Sequence, residues 1–164
     1  MMKDIPYELA NETWLYDPDT GEIKWKNPSK FRRKNLVAGY TGKNGCKSIR
    51  FNGFLYLSHR IAWLLYYKKW PTYEIDHINH DKADNRICNL RDVTKSTNME
   101  NLIKAKTSSA TGKLGTFFDK KLGRYRAAIT TNRKSKHLGC FDTADEAYAA
   151  YIEAKRRIHA GNTL

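Results

Sequence analysis

The sequence is short of acid and of cysteine, and it contains no long apolar run. Aspartate and glutamate number 17 against 30 lysines and arginines, which leaves a formal charge of +13 on 164 residues. An excess of that size favours a polyanionic partner, because each phosphate neutralised by a cation releases condensed counterions. It disfavours a purely structural or protein-interaction module. The three cysteines, Cys46, Cys88 and Cys140, are far apart and include no Cys-x-x-Cys pair. That spacing argues against a structural zinc site and for a reducing, cytoplasmic setting. The longest apolar stretch, "IAWLLYY" at 61–67, is too short to span a bilayer. The opening "MMKDIPYELANETW" has none of the apolar run of a signal peptide, so no membrane association is expected. Enough apolar material is present, 40% with four tryptophans, to build compact cores. The length suits one ordinary domain or two small ones.

The first part of the chain reads as strands and turns. "YDPDTGEIKW" at 16–25 puts Asp-Pro-Asp-Thr-Gly between Tyr16 and the alternating pair Ile23 and Trp25, a hairpin pattern. "KNG" and "FNGF" are further turns around a strand, "CKSIRF". The period then changes: Ile61, Leu64, Leu65 and Lys68 can share one helical face, with Ser58 as N-cap and Pro71 as a stop. Short extended pieces follow around "YEIDHI" and "NRICNLRDV", then a helix over 94–106 and a small polar linker at 107–113. Beyond it, "GTFFD", "RYRAAIT" and "KHLGCF" read as three short strands. Thr143 and Glu146 have capping-box spacing before a helix that carries Ala147, Tyr148, Tyr151, Ala154 and Ile158 and ends at Gly161. In the middle strand Tyr125, Ala127 and Ile129 alternate with Arg124, Arg126, Ala128 and Thr130, so a helix on the first set leaves the arginines open. Residues 102–141 hold ten Lys and Arg and a single acid, Asp119, which favours a nucleic-acid surface there.

"YEIDHINHDKADNRICNL" at 73–90 carries the polar chemistry. Hydrolysing a phosphodiester requires a group that takes a proton from water near neutral pH, and a means of stabilising charge on the phosphate and the departing oxygen. Neutral histidine suits the first task. A divalent cation on oxygen ligands suits the second, and magnesium needs only one or two protein ligands. Adjacent Asp76 and His77 would face opposite ways on a strand, so the backbone must turn for them to share a site. Taken alone, such an Asp-His pair is more often a turn than a catalytic pair, and Asn85 and Asn89 read as caps of local backbone.

"IDHINHDKADNRICNLRDVTKSTNMENL", with "SHRIAWLLYYKKWP" upstream, resembles the HNH endonucleases of the phage and intron-homing type over about half the chain. The resemblance implies a core of two antiparallel strands and a helix around one metal ion, Mg2+ or Mn2+. It matches His77 to the general base, Asp76 and Asn98 to the metal ligands, and Asn89 to the residue that orients the base. Arg86 and Arg91 match basic positions near the phosphate. It implies hydrolysis of DNA to a 5′-phosphate and a 3′-hydroxyl. His59 matches a His-Arg pair with a structural or phosphate-contacting role, and His80 stands where the family often has glycine.

"RYRAAITTNRKSKHLGCFDTADEAYAAYIEAK" resembles a second family, the plant Apetala-two/ethylene-response-factor DNA-binding domain, in which three strands enter the major groove and a helix packs behind. That resemblance implies that Arg124, Arg126 and Thr130, with Lys136 or His137 on the third strand, face DNA. Phe117, Asp119 and His137 depart from the plant pattern, so no target sequence transfers.

The expectation is an α+β chain: a nuclease domain with a β-rich N-terminal extension at 1–106, a linker at 107–113, and a DNA-binding domain of three antiparallel strands and one helix at 114–164. The expected function is a metal-dependent, site-specific or nicking endonuclease of a phage or other mobile element, acting on double-stranded DNA as a monomer or weak dimer. The alternative is a non-cleaving, sequence-specific regulator that keeps the nuclease fold.

Overall fold

A computed structural model describes residues 4–27, 29, 36–105, 109–131, 134–159 and 161–163, and the chain divides into two compact units, Met1–Thr94 and Lys95–Leu164. No helix among the described residues is long and apolar enough to cross a membrane.

The first unit opens with helix α1 (Tyr7–Thr13), which leads directly into the hairpin of β1 (Trp14–Tyr16) and β2 (Ile23–Trp25), paired Trp14 to Trp25 and Tyr16 to Ile23. Asp17 makes the turn: its carboxylate accepts the backbone N–H groups of Asp19 and Thr20. A second antiparallel sheet joins β3 (Tyr40–Thr41), β4 (Lys47–Phe51) and β5 (Phe54–Leu57) in sequence order. Asn52 and Gly53, both at positive φ, turn the chain between β4 and β5, as the Asn-Gly pair leads one to expect.

Helix α2 (Ser58–Tyr67) follows without a loop. Ser58 lies inside the helix, and Leu57 is the N-cap, with no side-chain capping bond. The helix ends at Lys68 in the left-handed conformation, and Pro71 comes shortly after. Its Ile61, Ala62, Trp63 and Leu64 are buried in one core with Trp14, Ile23, Trp25, Ile49 and Tyr56. Ile75 and Leu90 belong to the same core and come from the last hairpin, β6 (Glu74–His77) with β7 (Leu90–Val93). The N-terminal extension and the "IDH…NLR" hairpin are therefore one folding unit.

The second unit begins with α3 (Lys95–Glu100), shorter than the helix expected over 94–106. The Asn101 and Leu102 N–H groups bond to the carbonyls of Asn98 and Met99, three residues back, so the last turn tightens and the helix stops. Of the expected linker, 107–108 lie outside the described residues, and the rest is a bonded turn. Thr111 Oγ1 lies 2.7 Å from Thr116 Oγ1, and Lys113 Nζ pairs with Asp145 at 2.7 Å. The sheet runs β10 (Lys134–Phe141), β9 (Arg124–Thr131), β8 (Thr116–Asp119), with β9 in the centre. Helix α4 (Ala144–Ile158) carries the full capping box of Thr143 and Glu146 and packs Tyr151 and Ala154 onto Ile129. The helix closes at His159, two residues before Gly161. Gly115, at φ +67, lies so close to the Tyr151 ring that a Cβ would come within 1.9 Å of it, so a side chain there would wedge α4 off the sheet.

Candidate functional site

The β6–β7 hairpin carries the polar cluster on a loop that its own side chains help to tie. Asn89, in the one-turn 3-10 segment Ile87–Asn89, accepts the Asn79 N–H at 2.9 Å through Oδ1 and donates Nδ2 to the Asp84 carbonyl at 2.8 Å. Asn79 Nδ2 donates to Asp84 at 2.7 Å, and Arg86 forks onto the same carboxylate at 2.6 and 2.9 Å. That fork holds the Asp84 carboxyl down to about 2. His80 takes a left-handed conformation, φ +67, which explains why glycine suits this position in the family the sequence resembles.

The loop is also buttressed from far away in sequence. The half-buried Tyr16 hydroxyl donates to the Asn85 carbonyl at 2.8 Å, and the Ile87 N–H donates to the Pro18 carbonyl at 3.1 Å. Burial raises the pKa of the Tyr16 phenol, so it remains a donor. Gly21, at φ +73, is the contact point: a Cβ there would sit 2.5 Å from Arg86 N and 2.6 Å from the Asn85 carbonyl carbon.

This fixes Asn85, which is 1% exposed, against His77: the His77 Nε2 and Asn85 Oδ1 atoms are 3.1 Å apart. Asn85 Oδ1 can accept from His77 Nε2 in the tautomer that carries its proton there, which puts the lone pair on Nδ1. Asn89, the partner that the resemblance implies, bonds through its side chain to Asn79 and Asp84, and Asn85 is the amide against His77 Nε2. The sequence signal for Asn85 is the Asp84-Asn85-Arg86 triplet, inside the stretch that resembles the HNH endonucleases. His59, in the first turn of α2, meets the His77 ring edge to face, with centroids 5.1 Å apart.

Asp76 is buried like His77 and is paired by register with Arg91. Arg91 places Nε and Nη2 on Asp76 Oδ2 at 2.9 and 2.7 Å. Both arginines matched to the phosphate are thus engaged by carboxylates, Arg86 by Asp84 and Arg91 by Asp76. Asn98 is half-buried on α3, in the second unit. No cluster of three or more His, Cys, Asp or Glu capable of holding a metal occurs among the described residues. The oxygen donors of Asp76 suit a hard cation that keeps most of its waters.

On the three-stranded sheet, Ala127 and Ile129 are buried under α4, while Arg124 and Thr130 are exposed on the opposite face and Arg126 is half-buried there. Arg126 lies 5.4 Å from the Phe117 ring centroid and 3.3 Å from the Asp119 carboxylate. Arg124 pairs with Asp142 at 2.9 Å. The register decides between the two candidates on β10. His137 pairs with Ala128 and shares the arginine face, whereas Lys136 pairs with Ile129 and belongs to the helix side. Lys136 therefore leaves the set that shares a face with Arg126.

Residues 56–100 match the family model described as HNH endonuclease, a span that contains α2, both strands of the β6–β7 hairpin and Asn98. No match was found among curated proteins or among solved structures.

Proposed function

We propose that the protein is a DNA endonuclease that hydrolyses phosphodiester bonds at Asp76 and His77, leaving a 5′-phosphate and a 3′-hydroxyl. The observation that carries this reading is the buried Asp76–His77 pair, with Asn85 against His77 Nε2, inside the segment that matches the HNH endonuclease model. His77 Nδ1 takes a proton from a water as its oxygen bonds to phosphorus, and Nε2–H stays on Asn85 Oδ1, which stabilises the imidazolium that forms. The bond from phosphorus to the 3′ oxygen breaks, and that oxygen leaves with a proton from solvent. Asp76 would hold one Mg2+ or Mn2+, with Asn98 proposed as the second ligand; when bound, the ion stabilises charge on the phosphate and the leaving oxygen. Asn89 serves this site by fixing the loop. Arg86 and Arg91 serve it by neutralising its carboxylates.

The sheet face with Arg124, Arg126, Thr130 and His137 is proposed to dock on double-stranded DNA, with the cation excess supplying affinity. A site-specific, homing or nicking enzyme of a mobile element is the biology that this pairing of modules supports. Plasmid cleavage tests the reading: with Mg2+ or Mn2+ the protein nicks supercoiled DNA, and His77→Ala abolishes nicking while DNA affinity stays within about twofold, because no phosphate-facing charge is lost. A His77→Ala protein that nicks at the wild-type rate would refute the assignment. The regulator alternative predicts sequence-specific binding with no cutting under any divalent ion.

A further inference from the structure

His77 is restrained by a second imidazole that the reading above leaves without a task. His59 is 7% exposed, and its ring stands at 79° to that of His77. Its Nδ1 is buried with no hydrogen-bond partner. Burial first, then His77 and Arg60, hold its pKa down to about 3, so the ring is neutral at working pH. Such a buried atom does not reach a DNA phosphate without the helix moving, and it gives up nothing if it becomes carbon. What His59 offers its neighbour is a flat, polarisable surface. The bond to Asn85 limits rotation of the His77 ring about its own axis, and the edge-to-face contact limits its tilt.

We propose that His59 is a positioning residue that braces the His77 imidazole through its aromatic ring rather than through its nitrogens. Its effect on rate rests on the nuclease reading; the brace itself is a property of the folded chain and can be tested without cleavage. A reacting nitrogen that wanders by about 1 Å can lose about a hundredfold in rate. Replacing His59 by phenylalanine keeps the ring, replacing it by leucine keeps the volume alone, and alanine removes both.

Two measurements on the full chain decide it. In single-turnover cleavage of supercoiled plasmid with Mn2+, His59→Phe retains the rate within about threefold, whereas His59→Leu and His59→Ala lose about 10–100-fold in kcat with KM for DNA nearly unchanged. In 15N relaxation of the histidine ring nitrogens, wild type and His59→Phe show a rigid His77 ring, and His59→Leu shows the ring mobile while Asn85 still holds its tautomer. The leucine variant keeps the core filled and serves if the alanine variant does not fold. Equal damage in the phenylalanine and leucine variants would mean that a nitrogen is required, and a leucine variant with wild-type rate and ring rigidity would mean that there is no brace; either result overturns the proposal. A wild-type protein that cuts nothing refutes the nuclease reading, and the ring relaxation still decides the brace.

Discussion

His59 makes a measurable mark on acid stability. Its ordinary pKa of 6.5 falls to about 3 in the folded chain because burial disfavours the charged ring. The unfolded chain therefore binds this proton first, and stability is full above about pH 6.5 and drains as pH falls towards 3. Between those limits the slope approaches about 1.4 kcal/mol per pH unit, so moving from pH 7 to pH 5 costs about 2 kcal/mol through this residue alone. His59→Phe removes the proton site and keeps the ring, so its loss over the same interval is smaller by about 2 kcal/mol. Groups that titrate alike in both proteins cancel in the difference. Urea unfolding followed by tryptophan fluorescence is the assay, and it reads the relevant unit cleanly, since Trp14, Trp25, Trp63 and Trp70 all precede residue 95. Losses that agree between the two proteins to within about 0.5 kcal/mol would refute the argument that His59 is buried and neutral.

Gly21→Ala should destabilise the first unit by about 1–3 kcal/mol, from the positive φ and the overlap with the Asn85–Arg86 backbone, and should lower cleavage more than its stability loss explains; urea midpoints and nicking rates check both. Cleavage should stop in excess EDTA and return with Mg2+ or Mn2+, and a chelator selective for zinc should leave it intact. Arg124→Ala with Arg126→Ala should reduce the magnitude of the slope of log affinity against log salt by about 2 and leave residual cutting at low salt; a wild-type slope would remove the sheet face from the DNA contact.

Elements whose causes are local could be read from the sequence. The Asp17–Gly21 turn, the Asn52-Gly53 turn, the Thr143–Glu146 box and the alternation along β9 each depend on neighbours a few residues away. The partner of His77 could not be read this way. Asn85 and Asn89 are the same residue type four positions apart, and their tasks diverge only because Tyr16 and Pro18 pin the loop from the N-terminal hairpin. Lys136 and His137 were indistinguishable for a similar reason, since alternation along one strand does not fix its register against the next, and a bulge follows His137. Ser58 illustrates a smaller failure: a good capping residue was displaced by one position when β5 ran straight into α2.

The contact between the Tyr16 hydroxyl and Asn85 closes a loop of 69 residues. Loop closure over such a distance comes after local hairpins and helices have formed, because its entropy must be offset by contacts made elsewhere. The β6–β7 hairpin can therefore pair on its own while its histidine still lacks a fixed amide partner. The His77–Asn85 contact then depends on residues made first, so a chain still emerging from the ribosome carries the histidine well before it carries the histidine's fixed support.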